Sequence, residues 1–242
     1  MLEEKIEQLI ATHPQYALLL HSLGIPFYQY QELSLQELCQ IKKLEAQYVV
    51  RLLQETHLPS ITPIRKLKNT SLETLIGYLK HQHLFFLHKK MPFLMHIIEH
   101  LPEKNKLVSD LQLLFPLFVE DFIRHIHDEE DQLFFYILSL QKANKSRDLR
   151  KLYEITEKYS IQDFALAHDT HDDEMEGIRQ LTQHYQIHGD FSLHLKVVYF
   201  HLQDFEKHLQ QHAFIENEIL FPKGLVLESA IKAKIKEESQ WN

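Results

Sequence analysis

The sequence predicts an all-α protein, and three observations carry this prediction. Only 5 Gly and 8 Pro occur among 242 residues, whereas sheet-rich folds need these residues at many turns. Long segments repeat apolar residues at helical spacing. No segment alternates apolar and polar residues long enough to predict a strand.

The first part of the chain, residues 1–57, is predicted to form a small helical N-terminal domain. Within it, Ser34 is a candidate helix N-cap, because Glu37 follows at the spacing of a capping box. Residues 58–69 contain two prolines and show no apolar period. We therefore interpret residues 58–69 as a linker.

Residues 70–224 are predicted to form the main domain. Its long helical segments cover residues 71–100, 104–143, 161–185 and 191–220, and a shorter helix is expected near 149–158. Four helices of this length with short connections are typical of an antiparallel four-helix bundle.

Proline and glycine mark the expected breaks in these helices. Pro92 and Pro116 are expected to bend the first and second helices, because proline lacks the backbone N–H that a helix interior uses. The fourth helix is expected to end at Pro222 and Gly224. Residues 225–242 then form a C-terminal tail rich in Lys and Glu, as one further exposed helix.

The composition excludes several classes of protein. A net charge of −8 argues against a nucleic-acid or anionic-membrane partner. The single Cys39 excludes an internal disulfide and cysteine-rich zinc sites. The chain starts with acidic residues, unlike a signal peptide, and has no stretch of about 18 uncharged apolar residues to span a membrane. We therefore expect a cytoplasmic protein.

Histidine is unusually frequent, with 18 residues against 5 Gly, and imidazole is the commonest metal ligand. His125 and Glu129 stand at i and i+4 in the second helix, and His212 and Glu216 have the same spacing in the fourth. Each pair therefore projects from one helix face. After each pair comes a polar stretch and then Leu-Phe. This repetition predicts a shared function for the two pairs.

The other two helices offer further imidazoles. The first contains His81, His83 and His88, and the third contains His168 and His171. One His from each helix and the two Glu would make six ligands, which suit iron, manganese or zinc. Six ligands are too many for one tetrahedral zinc and suit two metals with bridging carboxylates. By contrast, His96, His100 and His194 lack partners in the sequence and are interpreted as surface or interface residues.

Several segments resemble a known family. The likeness spans about Leu23 to about Pro222, and its metal motifs are HIHDEEDQLFF, HDDEMEGIRQLT and HAFIENEILFP. They resemble the hemerythrin-like domain of the iron–sulfur-cluster repair di-iron proteins, the repair of iron centres family. The segment LGIPFYQYQELSLQELC is similar to that family's short N-terminal domain.

The resemblance implies a ligand set for two non-haem irons joined by an oxo or hydroxo bridge. Glu129 and Glu216 would be the bridging carboxylates. The imidazole ligands would come from His125, His171 and His212. These residues open or lie within the three motifs.

The first-helix ligand follows less directly from the resemblance. The family places a His eight residues before the Pro that corresponds to Pro92, and position 84 here is Leu. His83 is one residue away, and His88 is one turn further along the face of residue 84. We favour His83, because it shares the apolar stripe of Leu79 and Phe86; His88 is the alternative.

The resemblance also implies a function. The protein is expected to help restore iron–sulfur clusters damaged by oxidants or nitric oxide, with iron–sulfur proteins as clients. Where the family has Cys-Cys-Gly-Gly, however, residues 28–31 are Tyr-Gln-Tyr-Gln. Thiol chemistry is therefore excluded there, and the N-terminal domain is expected to serve docking or homodimer formation.

Two other hypotheses remain open from the sequence. The di-iron site could reversibly bind or sense oxygen or nitric oxide without repair activity, which the missing Cys pair favours. In the third hypothesis no metal binds, and the His are core or pH-responsive residues.

Overall fold

The computed structural model describes residues 1–56, 67–169, 175–187, 189 and 191–239. In this part of the chain the regular elements are helices, apart from an isolated β-bridge between Lys5 and Ser34. The all-α prediction is confirmed at this level. None of the helices within these ranges combines the length and apolar character needed to cross a bilayer. Most of the predicted linker, its residues 58–66, lies outside the described residues.

Four short α-helices and one 3₁₀ turn form the N-terminal part. The α-helices are α1 (Ile6–Thr12), α2 (Tyr16–Ser22), α3 (Leu35–Lys42) and α4 (Ala46–Glu55), and the 3₁₀ turn is Phe27–Gln29. The capping box at the start of α3 is confirmed. The Glu37 backbone N–H donates to Ser34 Oγ at 3.2 Å, and the Ser34 N–H donates to Glu37 Oε2 at 2.8 Å.

Three long helical segments each contain a π-helical turn. The elements in chain order are α5 (Leu72–Phe85), a π turn (Phe86–Lys90), α6 (Met91–Glu99), α7 (Lys106–Asp128), a π turn (Glu129–Phe134), α8 (Phe135–Ser146), α9 (Leu149–Lys158), α10 (Ile161–Asp169), α11 (Glu176–Leu181), α12 (Leu193–Ile215), a π turn (Glu216–Leu220) and α13 (Phe221–Ser239). A π turn inserts one residue into a helix and is frequently found at functional sites.

Pro92 and Pro116 were both expected to bend their helices, but the structure shows different results at the two positions. The π turn Phe86–Lys90 ends two residues before Pro92, so the first long helix departs from α geometry next to the predicted break. Pro116 instead lies inside α7, which continues from Lys106 to Asp128. The predicted third helix was too long, because α11 ends at Leu181 and the backbone from Gln183 to Tyr185 is left-handed.

The prediction that the fourth helix ends at Pro222 and Gly224 was wrong. Pro222 is the second residue of α13, directly after the third π turn, and the helix continues past it to Ser239. A Cβ on Gly224 would lie 2.7 Å from Ile161 Cδ1, so glycine permits close packing here. The residues beyond 225 continue α13 and bury Ile231, so this stretch is not merely an exposed tail.

Contacts divide the chain into two compact units. Unit 1 comprises Met1–Ile61, Phe86–Leu117 and Met175–Lys207, and unit 2 comprises Thr62–Phe85, Phe118–Glu174 and His208–Asn242. This partition differs from the sequence-based division into residues 1–57 and 70–224. The apolar core of unit 2 includes Leu79 of α5, Ile137 of α8 and Leu220 of the third π turn.

Candidate metal centre

Three helical segments of unit 2 bring four buried ligand-type side chains together. His83 comes from α5, Glu129 from the second π turn, and His212 and Glu216 from α12 and the π turn that follows it. Both glutamates are the first residue of their π turn. The repeated His-x3-Glu spacing therefore coincides twice with the same departure from α-helical geometry.

The donor atoms of these four residues all lie within 4.8 Å of one another. His212 Nε2 is 3.0 Å from Glu216 Oε1, and His83 Nε2 is 3.2 Å from Glu129 Oε2. The two imidazoles also face each other, with 3.0 Å between their Nε2 atoms. Such convergence of nitrogen and oxygen donors from separate helices is the geometry that a bound cation requires.

Because this cluster is buried, its carboxylates need a compensating positive charge. Glu216 is 0% exposed and His83 is 1% exposed, while Glu129 and His212 are each 6% exposed. A buried carboxylate costs free energy unless a positive charge compensates it. The four side chains include two carboxylates and no ammonium or guanidinium. A cation in their midst would provide the missing compensation.

The outer nitrogens of both imidazoles have acceptors that orient the rings. His83 Nδ1 is 2.9 Å from Glu130 Oε1, and His212 Nδ1 is 2.9 Å from Gln82 Oε1. When each Nδ1–H donates to its oxygen, the lone pair of each neutral imidazole lies on Nε2, facing the centre. This arrangement of an outer acceptor, an imidazole and an inward lone pair is common around metal-ligating histidines.

Charge on the surrounding groups supports this orientation. Burial by itself raises the pKa of the Glu130 carboxyl, but hydrogen bonds from His83 and Lys80 outweigh burial and hold that pKa below its usual range. Lys80 Nζ is 3.0 Å from Glu130 Oε2. Glu130 is therefore ionised at neutral pH and accepts the imidazole proton.

The inner carboxylates stabilise positive charge strongly. Burial by itself lowers the pKa of His212, but Glu216 and Glu129 outweigh burial and raise that pKa to about 10. Burial likewise opposes ionisation of Glu129, yet hydrogen bonds from His212 and His83 hold its pKa well below the usual range. The cluster thus favours either protons or a metal ion at its centre.

The other ligands that the sequence predicted do not all belong to this cluster. His125 is partly buried, and its Nε2 lies 4.0 Å from Glu129 Oε2, beside the cluster rather than within it. His171 lies outside the described residues. Of the two first-helix candidates, His83 belongs to the cluster, and His88 is exposed.

Sequence reasoning missed Glu130 and Gln82 as orienting residues. Each stands next to a cluster member in sequence, which alone does not predict that its side chain meets an imidazole from another helix. For Glu130, the acidic run that contains it offered a weak signal. Its neighbours Asp128 and Asp131 are exposed, as expected for a solvated face.

The fold and the cluster together define a class: an all-helical protein with a buried imidazole–carboxylate group that could hold a metal ion. Neither a protein-family model nor a curated protein sequence matches this chain. The donor set contains no sulfur and suits iron, manganese or zinc. Non-haem iron, which the family resemblance implies, is among the metals that this donor set fits.

Proposed function

We propose that this protein is a non-haem di-iron protein of the hemerythrin-like type. The observation that supports it is the buried cluster of His83, Glu129, His212 and Glu216, whose donor atoms lie within 4.8 Å of one another and which includes the Glu of both His–Glu motifs. In the proposal the helices of unit 2 form a hemerythrin-like bundle. The irons are held by His83, His125, Glu129, His171, His212 and Glu216.

The proposal contains two metal ions rather than one for reasons of geometry and charge. His125 Nε2 lies 4.0 Å from Glu129 Oε2, the oxygen that His83 Nε2 also approaches at 3.2 Å, so His125 is the imidazole that would help to hold a second ion. His171 would complete the coordination of this ion. Two Glu supply two of the four negative charges that two divalent ions need, and a small bridging anion would supply the others.

The residues around the site have defined tasks in this proposal. Glu130 and Gln82 hold the two imidazoles with their lone pairs inward, and the Phe134 ring stacks on His83 with ring centroids 5.7 Å apart. Phe134 is fully buried and excludes water from that side. Bound iron would supply a redox-active cation with an open coordination position.

As its biological role we propose restoration of iron–sulfur clusters damaged by oxidants or nitric oxide. A carboxylate-rich iron site buried among apolar side chains is suited to hold iron until it is delivered to a client. Reaction of the same iron with oxygen or nitric oxide is the second candidate, a binding or sensing function without repair.

The N-terminal residues favour this second candidate. Tyr28 occupies the position where the resembled family has its first cysteine. Its side chain carries no thiol and packs against neighbouring histidines. Its ring stacks on His194 with centroids 4.5 Å apart, and its hydroxyl lies 3.0 Å from His96 Nε2. A repair route that depends on a cysteine pair is therefore closed to this chain.

Metal analysis of protein purified without a His tag tests the di-iron proposal first. We expect about two irons per chain after anaerobic loading, and loss of that iron in Glu129→Ala. The exposed neighbour Asp131→Asn is the matched control and keeps the iron. Stoichiometric iron retained by Glu129→Ala would contradict the site.

Activity then separates the two roles. The iron-loaded protein is incubated anaerobically with an iron–sulfur enzyme inactivated by nitric oxide, with Glu129→Ala as the control. Recovery of enzyme activity with wild-type protein alone supports repair. A reversible optical change on exposure to oxygen or nitric oxide, without iron loss and without such recovery, supports sensing.

A further inference from the structure

Unit 1 contains a second cluster of metal-ligand side chains, near the end of α6. His96, Glu99 and His100 occupy positions i, i+3 and i+4, so that they project from one helix face. One donor atom from each lies within 4.8 Å of the others. His96 is half-buried, while Glu99 and His100 are exposed, so an ion in solution can reach them.

Both imidazoles have one nitrogen engaged and one available. His100 Nδ1–H donates to the His96 backbone oxygen at 2.9 Å, which leaves the His100 lone pair on Nε2. The Tyr28 hydroxyl lies 3.0 Å from His96 Nε2. When His96 Nε2–H donates to that hydroxyl, the lone pair of His96 lies on Nδ1. Tying one ring nitrogen to a second group is how proteins orient metal-ligating histidines.

The surroundings of this cluster contain buried polar atoms that lack compensation. Within the described part of the chain, neither carboxylate oxygen of Glu103 has a hydrogen-bond donor. The same is true of Nε2 of His194, whose side chain is 3% exposed and whose ring stacks on Tyr28. Burial lowers the pKa of His194 to about 4, although the charge of Glu103 opposes this. At neutral pH His194 is therefore uncharged and does not neutralise Glu103.

We propose that His96, Glu99 and His100 form a second cation site, which binds a divalent transition-metal ion such as Zn²⁺. Two imidazoles at i and i+4 of a helix are a known arrangement for zinc. The donor set of two nitrogens and one carboxylate oxygen favours such an ion over Mg²⁺ or Ca²⁺, which prefer oxygen alone. Tyr28 is the positioning residue, because its hydroxyl orients the His96 ring but does not itself bind the metal ion.

The site differs from the cluster of unit 2 in its expected exchange behaviour. The unit 2 cluster is buried and anionic, whereas this one has two exposed members and a single carboxylate. Three protein ligands leave the fourth tetrahedral position for water or a ligand from solution. The ion is therefore expected to exchange readily with chelators. The proposal does not depend on iron in unit 2.

Zn²⁺ binding to the untagged, full-length protein tests the proposal. The binding curve is measured by calorimetry in a Glu129→Gln/Glu216→Gln background, which removes the inner carboxylates of unit 2. We expect one Zn²⁺ per chain. Adding His100→Ala or Glu99→Gln should weaken this binding by more than about tenfold. Adding His127→Ala, an exposed histidine of α7 outside both clusters, should leave it unchanged.

A second measurement covers the case in which the background variant does not fold, as judged by circular dichroism. Wild-type protein and His100→Ala are then saturated with Zn²⁺, dialysed and compared by metal analysis, and wild type should hold one more equivalent. Tyr28→Phe should weaken Zn²⁺ binding several-fold, because His96 loses its partner. Equal Zn²⁺ binding by wild type, His100→Ala and Glu99→Gln would overturn the proposal, as would the absence of Zn²⁺ binding in the folded background.

Discussion

Each unit contains a buried polar cluster, and the two clusters differ in the source of the positive charge that compensates their carboxylates. In unit 2, Glu129 and Glu216 are buried with two imidazoles and no permanently charged cation among the four side chains. In unit 1, Lys90 is fully buried, and its ammonium pairs with Asp204 and lies 3.3 Å from His201 Nδ1. There the chain itself supplies the positive charge.

The comparison separates a structural cluster from a binding cluster. His201 Nε2–H donates to the Pro14 backbone oxygen at 2.9 Å, so Lys90, His201 and the Pro14 carbonyl form one continuous network. Burial lowers the pKa of Lys90, and Asp204 opposes that shift. The unit 1 network has its counter-charge built in, whereas the unit 2 cluster leaves that role to protons or to an ion from solution.

The same comparison limits what a π turn implies. Lys90 is the last residue of the first π turn, and Glu129 and Glu216 are the first residues of the other two. All three turns place a charged side chain in a buried position. A π turn in this protein therefore accompanies buried charge in general, and the residue type decides whether the position can bind a metal.

The largest expected effect is on metal binding in unit 2. Glu216→Gln removes a fully buried ligand and one of the two inner charges, and we expect iron or Zn²⁺ affinity to fall by more than roughly 100-fold. The helical circular dichroism signal should persist, because the core of unit 2 is apolar. The matched control is Glu218→Gln, an exposed residue of the same π turn. Equal losses in both variants would count against a site at Glu216.

The next effect concerns the built-in cation of unit 1. Asp204→Asn leaves the Lys90 ammonium buried without its carboxylate, and we expect the free energy of unfolding to fall by about 3 kcal/mol. Lys90→Met should cost only about 1 kcal/mol, because the Asp204 side chain is 36% exposed and can be hydrated. Urea unfolding measures both values. The reverse order would show that Lys90 is not held as an ion pair.

Acidification should weaken unit 1 through His201. Burial, followed by the charge of Lys90, lowers the pKa of His201 to about 3, against 6.5 for an ordinary histidine. Below pH 6.5 the unfolded chain therefore binds a proton that the folded chain does not, and stability falls as the pH decreases toward 3. Between pH 7 and pH 5 the loss from this group is about 2 kcal/mol.

This pH effect is measured by urea unfolding of wild type and His201→Gln at both pH values. The amide of the variant cannot titrate, so the variant should lose less stability on acidification than wild type. The exposed His81→Gln serves as the control and should titrate like wild type. An identical pH dependence in wild type and His201→Gln would contradict the neutral, buried state of His201.

The smallest expected effect concerns Glu130, which orients the His83 ring in unit 2. In Glu130→Gln the amide oxygen can still accept the His83 Nδ1–H, but the negative charge is lost. We expect metal affinity to fall by about tenfold, measured by competition with a chelator. Asp131→Asn, an exposed neighbour, should leave the affinity unchanged, and a fall of the same size there would assign the effect to general surface charge.

The sequence by itself determined the local features of this protein. Scarcity of Gly and Pro and the apolar period determined the helical class. Short-range spacing also determined the capping box at Ser34 and the two His–Glu pairs, because residues at i and i+4 share a face in any helix. For the same reason the repeated motif indicated a metal-ligand group before any contact between helices was known.

Only the tertiary structure decided which residues from different helices meet. Each π turn adds one residue to a helix and rotates all later side chains by roughly 100°, so counting faces along the first helix could not decide between His83 and His88. Likewise, the role of Glu130 and the proximity of Tyr28 to His96 depend on contacts between distant segments. Local spacing sets the direction of a side chain on its own helix, but packing decides what that side chain faces.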